Sequence, residues 1–134
     1  MQWDRYVPCG FSAGGYLTAL WCAGRHGYLC HGLPKPFAAV PVYPYVSPTL
    51  GDAEGTDGIE QLLGCKLEEA YACGFEPQED AANFPPTAIF VSAADALVPV
   101  EHSRLLQRCL IKAGVPVYLE EKRAAITALR AVKA

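Results

Sequence analysis

Residues 10–14, Gly10-Phe11-Ser12-Ala13-Gly14, set one hydroxyl between small neighbours. A G-x-S-x-G string permits a turn so sharp that its serine is strained, because only small flanking residues let adjacent backbone approach. A serine held at the opening of a helix offers its hydroxyl as a nucleophile. The N–H of the next residue, Ala13, would then point at the oxyanion formed by attack on an acyl carbon. Average composition produces such a string by chance in about one chain in twenty of this length, so context has to carry the assignment. The other reading is a glycine-rich turn in which Ser12 only caps the helix.

Asp95 is the second chemical candidate, in Ala93-Ala94-Asp95-Ala96-Leu97-Val98-Pro99 just past a β-rich stretch. Catalytic groups in open α/β sheets gather beyond the carboxyl ends of strands, and an acid there can hold an imidazole in one tautomer. Equally, Asp95 reads as a cap for the helix that opens near Pro99. The histidines are His26, His31 and His102. His26 and His31 follow the helix that Ser12 opens, which sends them toward the opposite end of the sheet. His102 is nearer Asp95 in sequence and reads either as a replacement base or as a solvated side chain in the first turn of a helix.

The elements that must position these residues follow from glycine and proline punctuation. Residues 5–9 form a short strand candidate, weakened by Pro8, which has no N–H to donate. Residues 16–24 carry Tyr16, Leu17, Ala19, Leu20 and Ala23 at helical spacing, with Gly24 closing the run. The apolar stretch 37–43 suits a strand buried on both faces. Residues 47–86, rich in Gly, Asp, Glu and Pro, read as a surface excursion with short helices at 58–63 and 66–74. Residues 87–92 are the third strand candidate. In 99–113, Leu105, Leu106, Cys109, Leu110 and Ala113 line one helical face, opposite Arg104, Gln107, Arg108 and Lys112. Residues 115–119 are the fourth strand. Strands alternating with helices predict an α/β fold, a mostly parallel sheet of about four strands with flanking helices.

Composition excludes several classes of function. Of the 134 residues, 51% are hydrophobic and 19% charged, the make-up of a folded chain and not a disordered one. A net charge of −3 provides no basic surface for nucleic acid. The longest apolar run falls well short of the roughly 20 residues that span a bilayer. No charged and apolar leader opens the chain, so the default setting is cytoplasmic. Six cysteines are too sparse for a disulfide scaffold and show no zinc spacing, so neither cofactor nor metal is expected. Cys22 and Cys109 fall on apolar helix faces, where a thiol behaves as a small hydrophobe. The mean hydropathy of +0.13 leaves more apolar sequence than so short a domain easily hides.

Six ordered segments carry a resemblance: residues 10–15, 43–48 (Tyr-Pro-Tyr-Val-Ser-Pro), 61–64, 84–87, 95–103 and 113–117. In that order they resemble the α/β-hydrolase superfamily, and more narrowly its acetyl-esterase, lipase and carbohydrate-esterase branch. The resemblance implies a serine ester hydrolase that works through an acyl-enzyme, with Ser12 as nucleophile and Asp95 as triad acid. It implies a small acyl-ester substrate such as an acetylated sugar. Two departures accompany it. The family's His-Gly-Gly loop and the strands ahead of the nucleophile turn are not among the eleven residues before Ser12. The Gly-x-His that brings the base after the strand at 115–120 is also missing, because residues 121–134 contain no His.

Expected, then, is a partial α/β-hydrolase fold over 1–121, the C-terminal half of the family domain, followed by a non-family Ala-rich tail at 122–134. Ile126, Leu129 and Val132 recur every three residues in that tail and suit a short helix. A change of reading frame just after Glu120 or Glu121 would produce such a switch. Losing a triad member removes factors on the order of 10⁴ to 10⁶ in turnover, so little activity is expected of this polypeptide alone. The alternative is a non-catalytic relative, or a subunit assembling with further copies through an exposed sheet edge.

Overall fold

A computed structural model of the chain describes residues 5–48, 50, 57–70, 72–94 and 98–123. In chain order the described elements are β1 (Cys9–Phe11), α1 (Ala13–Ala23), β2 (Val40–Val42), α2 (Asp57–Leu63), α3 (Leu67–Ala70), a 3₁₀ segment (Pro77–Asn83), β3 (Thr87–Ser92), α4 (Glu101–Lys112) and β4 (Val117–Lys122). The strands form one sheet in the order β1-β2-β3-β4, and every neighbouring pair is parallel. The chain adopts the expected α/β class. Parallel pairing sets the carboxyl ends of all four strands along one rim, at Phe11, Val42, Ser92 and Lys122.

Local chemistry explains where elements begin and end. Residues 5–8 already run beside the approach to β2, since the Tyr6 carbonyl accepts the Phe37 N–H at 2.9 Å and the Pro8 carbonyl accepts the Val40 N–H at 3.0 Å. Pro8 has no N–H to return, so the ladder starts at Cys9 and the strand expected at 5–9 lies further along. β2 is shorter than the 37–43 run. Pro41 gives no donor, Tyr43 turns to a φ of 34°, and Phe37 is 64% exposed instead of buried. β3 occupies the expected residues, where β-branched and aromatic side chains favour a pleated surface.

One core lies between one face of the sheet and the helices. Ile89 of β3 and Ala39, just ahead of β2, meet Ala19, Cys22 and Ala23 of α1, and Leu106 and Leu110 of α4. Val46, Ala81 and Phe84 complete this cluster, so the end of the 47–86 excursion is core and not surface. Cys22 is fully buried, and burial pushes its thiol up to about 12, which suits an inert packing residue. On the opposite face the register aligns Phe11, Val42 and Phe90 in one row, with the Phe90 ring 6.2 Å from that of Tyr118. Phe11 is 52% and Tyr118 58% exposed. Among the described residues no helix is long and apolar enough to cross a membrane. The tail from Ala124 lies outside the described residues.

Candidate active site

Ser12 stands between the end of β1 and the first residue of α1 with φ 56° and ψ −114°. A non-glycine residue in that region is strained and persists only where its surroundings over-determine it. Here they do. The Ser12 N–H donates to the Val42 carbonyl at 3.0 Å, and the Ser12 carbonyl accepts the N–H of Tyr16 at 3.1 Å and of Tyr45 at 3.4 Å. The hydroxyl makes no capping bond to α1. Ser12 is therefore not the helix cap that a glycine-rich turn would use, and its side chain is not spent on holding the turn. The first backbone N–H groups of a helix have no intrahelical acceptor, and Ala13 supplies the first of them.

The turn depends on two glycines. A Cβ at Gly10 would sit 2.1 Å from the Gly14 carbonyl oxygen, and one at Gly15 would sit 2.8 Å from the Cα of Pro44. At Gly14 a Cβ would meet nothing within 4 Å. The close-approach role that the five-residue string assigns to its second glycine falls one residue later, on Gly15.

Tyr43 is the other non-glycine residue with positive φ among those described. It ends β2 beside Ser12, its N–H donates to the Phe90 carbonyl at 2.6 Å, and its ring lies 5.9 Å from Phe11. Strained backbone at the rims of two adjacent strands marks the same end of the sheet. Residue types gave no signal for Tyr43. Its strain comes from a turn that tertiary pairing imposes.

Asp95 lies outside the described residues. Its approach does not: Ala93 N–H donates to the Lys122 carbonyl at 2.9 Å, and Ala94 N–H to the Ser92 Oγ at 3.1 Å. The chain thus leaves β3 at the rim that carries Ser12.

His102 is not a solvated first-turn side chain. It is 0% exposed, its Nδ1 accepts the N–H of both Val46 and Ser47 at 3.1 Å, and its ring packs 4.3 Å from Tyr45. An Nδ1 that accepts two amides carries no proton, so the neutral ring holds its proton on Nε2. His26 and His31 are at the far end of α1, about 16 Å along the helix from Ser12. His26 Nε2 lies 2.7 Å from the Cys73 carbonyl oxygen, and His31 stacks on Trp21. Close to the turn, the Tyr16 hydroxyl donates to the Phe75 carbonyl, and burial, then the Glu76 carboxylate, hold that phenol well above its ordinary value.

No family model matches the chain, and no curated protein matches it in sequence. Solved structures do. An acetyl ester-xyloside bifunctional hydrolase from Caldicellulosiruptor lactoaceticus matches 87% of this chain and 45% of its own, with a TM-score of 0.68 and 30% identity. A lipase/esterase from Lactobacillus plantarum matches 95% of this chain and 55% of its own, at a TM-score of 0.71 and 19% identity. The chain has the α/β-hydrolase fold. An acylaminoacyl peptidase from Pyrococcus horikoshii extends the likeness, matching 96% of this chain and 21% of its own at a TM-score of 0.77 and 17% identity. The chain spans about half the length of the first two hydrolases and about a fifth of the peptidase. Within the hydrolase fold, its described residues supply a strained serine turn on the carboxyl rim of a parallel sheet.

Proposed function

We propose that this chain is the portion of a serine ester hydrolase that carries the nucleophile, Ser12, with the Ala13 N–H as an oxyanion donor and Asp95 as the acid of a triad. The observation that carries this reading is the conformation of Ser12: strained backbone at the opening of α1 and a hydroxyl that does not cap that helix. Attack by its oxygen on an acyl carbon would give an acyl-enzyme and release the alcohol, and water would then release the acid. The acetyl ester in the name of the Caldicellulosiruptor hydrolase supports small acetyl esters, acetylated sugars among them, as the substrate class. We assign residues 1–121 to the hydrolase portion, extended by Lys122, which still pairs with Ser92 in β4, and 123–134 to a separate tail, in a cytoplasmic setting that suits free thiols.

His102 is a clamp on residues 46–47 in this reading, and not the base, because Nδ1 is committed to two amides and Nε2 carries the proton. The base is then external to the described residues, and turnover by this polypeptide is low. Free imidazole tests the assignment by supplying what is missing. Hydrolysis of nitrophenyl acetate is expected to match a Ser12→Ala control without imidazole, and to rise above that control when imidazole is added. Strong turnover without imidazole would identify a base among the residues present. A second reading, an assembly subunit without catalysis, draws on the exposed Phe11 and Tyr118 of the open sheet face. Absence of any Ser12-dependent rate, with or without imidazole, would favour that subunit.

A further inference from the structure

The chain leaving β2 closes around the Ser12 turn and is fastened beyond it to α4. The Val42 carbonyl accepts the Ser12 N–H at 3.0 Å, and further along the Tyr45 N–H donates to the Ser12 carbonyl at 3.4 Å. Between them Pro44 lies so close to α1 that a Cβ at Gly15 would sit 2.8 Å from its Cα. Ser12 is thus held at both its N–H and its C=O by residues 42–45. Past them the Val46 and Ser47 amides donate to His102 Nδ1, each at 3.1 Å. Residues 42–48 are buried throughout, so these bonds form away from water, where they are stronger.

The Tyr45 ring joins the two anchorages. It is buried, and its centre lies 4.3 Å from the His102 ring on α4 and 5.5 Å from the Tyr16 ring on α1. The Tyr16 N–H is the other donor to the Ser12 carbonyl, at 3.1 Å, and makes the first bond of α1. We propose that Tyr45 is a positioning residue for the Ala13 N–H: its ring, seated against His102 and Tyr16, keeps its own N–H on the Ser12 carbonyl and so aims the amide that would meet the oxyanion. This role rests on the reading of Ser12 as nucleophile and of the Ala13 N–H as oxyanion donor.

The link is the peptide plane. The Ser12 carbonyl and the Ala13 N–H are opposite ends of one planar trans amide, so a bond that fixes the oxygen also fixes the line of the N–H. The Tyr16 bond belongs to the helix and survives if the turn relaxes, whereas the Tyr45 bond comes from the exit of β2 and ties the plane to the sheet. At φ 56° and ψ −114° Ser12 is strained, and such a residue relaxes once its surroundings stop over-determining it. Removing the Tyr45 ring would open a hollow beside His102 and Tyr16 into which residues 45–47 can draw away from the turn. An oxyanion donor acts as charge develops on the attacked oxygen, so its misalignment slows the chemical step and spares substrate binding.

Hydrolysis of nitrophenyl acetate with imidazole, set beside the carbon chemical shifts of Ser12, tests this role. Tyr45→Phe keeps the ring and is expected to match the unaltered chain in both. Tyr45→Leu is expected to move the Ser12 shifts away from those of a positive φ, and to lower kcat on the order of 10²-fold at little changed KM. Leu110→Ala, in the separate cluster around Ile89, is expected to lower the urea midpoint and leave kcat of the folded protein unchanged, which separates positioning from general loss of stability. In the unaltered chain the Tyr45 amide is expected to exchange slowly with solvent, a measurement that needs no variant to fold. A Ser12-dependent rate that Tyr45→Leu leaves intact, Ser12 shifts that it leaves unmoved, or rapid exchange at Tyr45 would overturn the positioning role alone. No Ser12-dependent rate in the unaltered chain would overturn the nucleophile reading beneath it, while the shifts still report on the turn.

Discussion

At Ser12 the backbone stores strain that the neighbouring residues must tolerate, and the two glycines of the five-residue string contribute unequally to that tolerance. An alanine at Gly10 would place its Cβ against a backbone oxygen that cannot rotate away. Overpacking of this kind costs about 1–3 kcal/mol, so Gly10→Ala is expected to lower the urea midpoint clearly. Gly14→Ala meets open space inside a helix. There it is expected to be neutral or to gain about 0.5–1 kcal/mol from lost backbone entropy. Equal losses from both substitutions would contradict this division. The sharp turn at Ser12 was legible from the sequence because its requirement is steric and local: small residues around one serine between a strand and a helix. The strain at Tyr43 and the work of Gly15 were not legible, since both arise from β2 and Pro44 closing on the turn from distant sequence.

At the scale of elements, α4 shows how a residue can be placed correctly on a helix and still be misjudged. The apolar periodicity of 99–113 located the helix and its buried Leu106 and Leu110. It said nothing of His102, whose burial is stabilised by a polar match: the amides of Val46 and Ser47 have one imidazole nitrogen as acceptor. Removing the ring would strand both amides at about 1–3 kcal/mol each, so His102→Ala is expected to lower stability by several kcal/mol, read from urea unfolding. His102→Asn, whose side-chain oxygen can take the place of Nδ1, is expected to recover part of that loss. A His102→Ala variant with an unchanged urea midpoint and a lost ester-hydrolysing rate would instead make His102 a base. Strand ends moved for comparable reasons. Pro8 withdraws a donor just ahead of β1 and the positive φ of Tyr43 closes β2, so the ladder, not apolar character, decides the limits of these strands. The 3₁₀ segment escaped notice because its polar composition reads as surface, whereas Ala81 and Phe84 fill the gap between α1 and α4.

Across the whole molecule, the apolar surplus in the composition corresponds to a sheet with one face filled by α1, α4 and the 3₁₀ segment, and the other presenting Phe11 and Tyr118. Parallel sheets ordinarily bury both faces. The match to about half of two larger hydrolases is in keeping with such a sheet, and the rim that carries Ser12 is the rim where open α/β sheets place their chemistry. As the acyl acceptor of a chain without its base, Ser12 should hold the acyl group once it is transferred, because the same base would be needed to activate water. Incubation with an activated acetyl ester and imidazole, followed by rapid removal of both so that no base remains to activate water, and then by peptide mapping, tests this most directly. One acetyl group on Ser12, absent from Ser12→Ala, is the expected result; acetylation confined to lysines and cysteines, with Ser12 unmodified, would contradict the role of Ser12 as acyl acceptor.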